Sequence, residues 1–138
     1  MRRIGITGGI GSGKSVVSRL LRIMGYSVYD TDSEAKRLME SSLEVVQKLS
    51  ECFGRDIYHN GRLNRGLLSS RVFGKSDKIV LLNSIVHPVV RFDFYRWSES
   101  LNEEICFVES AILYESRFDE LVDEVWTVTA PEELRISR

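Results

Sequence analysis

Apolar residues along the chain switch between two spacings. Arg3 to Thr7 is a short, mostly apolar stretch running into a glycine cluster, the pattern of a buried strand. Beyond the glycines, Val16, Val17, Leu20, Leu21 and Met24 recur at helical spacing, and Gly25 follows as a C-terminal cap. Tyr26 to Tyr29 is aromatic and β-branched and predicts a second strand ending at Asp30. Ala35, Leu38 and Met39 predict a helix from Asp32 to about Glu40, with Asp32 or Ser33 near its cap. The middle reads as helical over Leu43 to Phe53, Arg65 to Phe73 and Asp77 to about Leu101, punctuated by Gly54 and the turn signal Asn60-Gly61. Pro88 is expected to break or kink the last of these. Strand-like runs return at Ile105 to Val108 and Val125 to Val128. Pro131 to Arg138 then opens like a helix, with proline at its first position and Glu132 and Glu133 in its first turn.

Strand, helix, strand, several helices, strand, strand, helix is an α/β order. It predicts a parallel sheet with an inserted helical lobe at about 43–101, all within one domain over 1–138. A doubly wound sheet usually carries about five or more strands. Only four are legible before the chain stops inside a new helix, so it is expected to be part of a longer protein.

Composition narrows the partners. The 138 residues are 43% hydrophobic and 28% charged, ordinary globular usage. Lys+Arg 19 against Asp+Glu 20 gives a net charge of -1, without the basic excess of a nucleic-acid or anionic-membrane binder. Apolar runs reach at most five residues, far below the ~20 that span a bilayer. The N-terminus lacks a signal-peptide pattern, because glycines and Lys14 interrupt any apolar region. Cys52 and Cys106, far apart, imply neither a disulfide framework nor a zinc site. The expectation is a soluble, cytoplasmic protein with no structural metal, no nucleic acid and no membrane partner; oligomeric state is not legible.

The strongest chemical signal is Gly8-Gly9-Ile10-Gly11-Ser12-Gly13-Lys14-Ser15, which fits G-x-x-x-x-G-K-[ST] between a strand and a helix. Gly8, Gly9, Gly11 and Gly13 let the backbone wrap close to phosphate oxygens, with Ser12 in the same loop and successive N–H groups pointing inward. The helix opening at Lys14 adds free amides and its positive dipole end. Lys14 can reach the β- and γ-phosphates, the Ser15 hydroxyl can ligate Mg²⁺, and the Val16 amide can meet the α-phosphate. This is a nucleotide site.

Asp30 and Asp32 follow the second strand at i, i+2, so an extended backbone would point both carboxylates to one side. Ligands of open α/β sheets collect at the carboxyl ends of the strands. A carboxylate there can accept the proton of an attacking hydroxyl or hold Mg²⁺. The alternative for either residue is helix capping.

The N-K-x-D and D-x-x-G motifs of GTPases are not found, and no Asp-Glu pair follows an apolar run as in motor-type ATPases; the third strand gives Val108-Glu109-Ser110. An early glycine loop with a helical insertion fits a small-molecule kinase better. Thr7 to Ser15, Val28-Tyr29-Asp30-Thr31-Asp32 and Ala35-Lys36 together resemble the dephospho-CoA kinase family. So do Gly61-Arg62-Leu63-Asn64-Arg65 with Leu68 and Phe73, Leu82-Asn83 with His87-Pro88, and Ala111-Ile112-Leu113-Tyr114-Glu115.

The resemblance implies a three-layer α/β/α P-loop fold and ATP-dependent phosphorylation of the ribose 3′-hydroxyl of dephospho-CoA, the last step of coenzyme A synthesis, with ATP and Mg²⁺. By the same resemblance Asp32 is the general base and Arg138 joins Lys14 of the glycine loop as catalytic, while Asp30, from its place at the strand end, is expected with Ser15 at the metal. Lys36, His87 and Glu115, with Asp32, bind the acceptor, and the lobe at 43–101 receives it. A C-terminal arginine-bearing lid and a last strand are implied beyond Arg138. Val16, Asn64, Lys36 and Tyr114 stand where the family often has Thr, Asp, Arg and Phe; Lys36 keeps the charge of arginine but not its bidentate fork. Two other readings are another nucleoside or nucleotide kinase on the same fold and a non-catalytic ATP-binding regulatory module.

Overall fold

A computed structural model describes residues 1–9 and 12–129. In chain order its elements are β1 (Arg2–Thr7), α1 (Lys14–Ile23), β2 (Val28–Asp30), α2 (Thr31–Ser41), α3 (Leu43–Phe53), β3 (Tyr58–His59), β4 (Arg62–Leu63), α4 (Arg65–Val72), α5 (Ser76–Ser100), β5 (Ile105–Glu109) and β6 (Glu124–Thr127). The chain forms two compact units, 1–32 with 93 onward, and 33–92. None of the described helices is long and apolar enough to cross a membrane.

The first unit is built on a parallel sheet in the order β2-β5-β1-β6. Alternate residues of β1 and β5 divide between its faces, as the two-residue period of a strand requires. Ile4, Ile6 and Phe107 pack with Leu21 of α1 on one face, joined by Val17, Val28, Ile105 and Val128. On the other, Tyr29 meets Phe94 and Trp97 of α5 at centroid distances of 5.3 Å, and Phe94 meets Phe118 at 5.7 Å. Phe94 is fully buried, a burial that contributes about 1.5–3 kcal/mol. The Tyr29 hydroxyl donates to Asp93 Oδ2 at 2.8 Å, so the ring's polar end is satisfied.

The second unit is helical. Val45, Leu49 and Phe53 bury one face of α3, and the Ser42 hydroxyl caps it by accepting from the Val45 amide. Asn60-Gly61 closes a two-residue hairpin between β3 and β4, both residues at positive φ as a type I′ turn needs. Arg71 forks onto Asp56 at 2.7 and 2.6 Å and donates to the Phe53 carbonyl, tying α4 to the end of α3. That pairing holds the exposed Asp56 carboxyl below its ordinary range. Asn64 caps α4 by accepting from the Leu67 amide at 3.0 Å, a role that Asn and Asp fill equally.

Two expectations change. α5 runs through Pro88 as one helix of 25 residues and is not broken there. Pro88 and Ser84, whose carbonyl loses its helical donor, are both exposed, so water can satisfy that carbonyl. The hairpin replaces a plain turn, its strands being too short to show any alternation. The helix expected at Pro131–Arg138 lies outside the described residues.

Candidate functional site

β1 delivers the chain into the glycine loop at Thr7. A Cβ at Gly8 would stand 2.5 Å from Ser12 Oγ and 2.6 Å from the Val128 carbonyl oxygen, so only glycine fits. The Ser12 amide donates back to the Gly9 carbonyl at 3.1 Å, closing the turn. Gly13, at φ 94 in the left-handed region, is the N-terminal cap of α1. Its carbonyl accepts from the amides of Val16 and Val17 at 3.0 and 3.1 Å. A phosphate contact at the Val16 amide would therefore share that hydrogen. The Lys14 amide donates to Ser12 Oγ at 3.4 Å, the Ser15 amide has no helical acceptor, and no acidic residue occupies this turn. The N-terminus of α1 is thus an anion-facing end.

Opposite it stands a residue that sequence reasoning passes over. Glu109, the last residue of β5, is 7% exposed. Its Oε1 accepts from the Ser15 hydroxyl at 3.5 Å and lies 3.9 Å from Lys14 Nζ. Lys14, Ser15 and Glu109 therefore gather one cation, one hydroxyl and one buried carboxylate at the head of α1. Both contacts lie at the long end of their ranges. The only sequence signal was a carboxylate ending an apolar run.

The sequence reading puts Asp30 and Asp32 on one extended segment; the structure ends β2 at Asp30 and opens α2 at Thr31. Asp30 Oδ1 accepts from the Asp32 amide at 3.1 Å, the geometry of an N-terminal cap. The helix begins early because this capping bond and the Thr31 hydroxyl, which donates to the Glu109 carbonyl at 2.8 Å, both turn the chain. Asp32 is consequently an exposed first-turn carboxylate, not a strand residue. Asp30 remains beside Glu109 in the β2–β5 register, and residues paired in register share a face.

Of the other candidates, Glu115 is exposed in the irregular stretch after β5. Lys36 is exposed on α2, and His87 is half-buried on α5 in the second unit. Burial, and then the charge of Arg91 one turn on, lower the His87 pKa from its usual 6.5. Gly11 and Arg138 lie outside the described residues.

A parallel α/β sheet whose first strand feeds a glycine loop and a lysine-headed helix defines a P-loop nucleotide-binding protein. The model of one family, dephospho-CoA kinase, matches residues 2–138. A dephospho-CoA kinase of Porphyromonas gingivalis is 48% identical over 138 residues, covering all of this chain and 68% of that protein. The crystal structure of TT1252 from Thermus thermophilus superposes with a TM-score of 0.80 at 35% identity, covering 99% of this chain and 69% of that one. A dephospho-CoA kinase from Campylobacter jejuni shares the fold at a TM-score of 0.65 and 16% identity, covering 98% of this chain and 92% of that one. The chain belongs to the dephospho-CoA kinase family.

Proposed function

We propose that this protein transfers the γ-phosphoryl group of ATP to the ribose 3′-hydroxyl of dephospho-CoA, giving coenzyme A and ADP. The observation that carries the reading is the dephospho-CoA kinase family's match over residues 2–138 on a chain whose glycine loop leads into the lysine-headed α1. The loop and first-turn amides orient the phosphate chain, and Lys14 counters charge on the oxygens that gain it during transfer. Among the described residues, no three His, Cys, Asp or Glu side chains gather to cage a metal. The oxygen donors of Ser15 and Glu109, with Asp30 beside Glu109 in the register, suit a hard divalent ion that also takes phosphate oxygens. Mg²⁺ bound there would neutralise phosphate charge and hold the donor for in-line transfer.

In this reading Asp32 takes the acceptor's proton. It is exposed, ionisable and carried on the first turn of α2 next to the strand end that bears Asp30. As the 3′-oxygen bonds to the γ-phosphorus, its proton passes to the Asp32 carboxylate and ADP leaves. The test is an acceptor panel under matched ATP and Mg²⁺. Phosphorylation of dephospho-CoA in strong preference to nucleosides and nucleoside monophosphates supports the reading. Preference for one of the latter assigns the protein to a different kinase reaction.

A further inference from the structure

The junction of β2 and α2 carries a hydroxyl buried away from solvent. Thr31 is 7% exposed, whereas Asp32 beside it is an exposed residue. Burying a hydroxyl is costly unless it is hydrogen-bonded, and Thr31 Oγ1 donates to the Glu109 carbonyl at 2.8 Å, across 78 positions of sequence. That carbonyl belongs to the residue whose carboxylate accepts from the Ser15 hydroxyl and approaches the Lys14 ammonium. One bond thus joins the first turn of α2 to the strand end that stands at the head of α1. The Asp32 amide is held as well, on Asp30 Oδ1 at 3.1 Å.

A general base must lie within hydrogen-bond reach of the proton it takes, and a displacement of ~1 Å can cost about 10²-fold in rate. Helix ends fray, so a base carried on a first turn needs that turn held. The Asp30 bond acts within the same segment and would move with it. The Thr31 bond reaches a different strand and would not. Resting on the reading above that Asp32 takes the acceptor's proton, we infer that Thr31 is a positioning residue for the transfer: its hydroxyl, anchored on the Glu109 carbonyl, sets the place of Asp32 relative to the head of α1. Thr31 acts through Asp32 and need not touch either substrate.

The test is steady-state kinetics of the whole protein with ATP, Mg²⁺ and dephospho-CoA. Thr31→Val keeps the branched shape and removes the donor; kcat is expected to fall about tenfold, with KM for ATP changed less than about twofold. Thr31→Ser keeps the donor and is expected to restore most of that loss. In an Asp32→Asn background, Thr31→Val is expected to lower the residual kcat by less than about twofold, because the group it positions is already gone. Thr31→Ala stands in if Thr31→Val does not fold, as judged by circular dichroism. A folded Thr31→Val or Thr31→Ala protein with wild-type kcat, an equal loss in Thr31→Ser, or an undiminished loss in the Asp32→Asn background overturns the inference and leaves the kinase reading standing. Wild-type kcat in Asp32→Asn alone removes Asp32 as the base, and the inference with it. Absence of dephospho-CoA turnover in the wild-type protein overturns the kinase reading together with both.

Discussion

Glu109 Oε1 stands 3.5 Å from the Ser15 hydroxyl, joining the end of β5 to the head of α1 across 94 positions of sequence. Parallel pairing of β1 with β5 brings this about, since Glu109 lies beside Ile6 in the register just before the glycine loop. Glu109→Gln keeps the shape and removes the charge. Magnesium titrations of phosphoryl transfer are expected to reach half-saturation at a roughly 10–100-fold higher Mg²⁺ concentration, with the melting temperature little changed. Unchanged magnesium dependence would remove Glu109 from the metal site.

Asp32 and Asp30 are tested by different readouts, turnover for the first and folding stability for the second. Asp32→Asn should lower kcat by about 10²–10⁴-fold while ATP affinity stays intact. A regulatory ATP-binding module would show no such loss. Asp30→Ala removes the cap on the Asp32 amide and should cost about 1 kcal/mol in denaturant unfolding.

Gly8→Ala places a methyl group against Ser12 Oγ and the Val128 carbonyl oxygen. Overpacking of this kind costs about 1–3 kcal/mol, and the distorted loop should also lose ATP binding. Chemical denaturation and nucleotide titration read the two effects separately.

His87 makes the protein sensitive to acid. Its folded pKa is lowered beneath the usual 6.5 by burial and by Arg91, so the unfolded chain takes up this proton first as the pH falls. Above about pH 6.5 both states hold neutral imidazole and the group contributes nothing. Below it stability declines until the folded imidazole also protonates. His87→Gln should flatten that part of the stability–pH curve, measured by urea unfolding from pH 7.5 downward. An unaltered slope would mean that His87 is not responsible.

Local signals in the sequence carried much of the fold. Val45, Leu49 and Phe53 mark α3 at its observed bounds, and the apolar runs of β1 and β5 are found within a residue or so. The β3–β4 hairpin escapes because two residues per strand show no period. α5 continues through Pro88 where Ser84, which bears the freed carbonyl, is exposed, a fact of exposure and not of spacing. At the site, the glycine loop and Lys14 were legible as a contiguous motif. Glu109 was not, because its partners lie 94 and 95 positions away and only the sheet order brings them together. The capping of α2 by Asp30 likewise depends on a helix starting one residue before the expected position.

The central claim is tested most directly by incubating the purified protein with ATP, Mg²⁺ and dephospho-CoA and following the products by mass spectrometry and phosphorus NMR. Coenzyme A carrying a new 3′-phosphate, formed in step with ADP, is the expected result. ATP that binds without any CoA appearing, or a phosphoryl group delivered to another hydroxyl, would contradict the account.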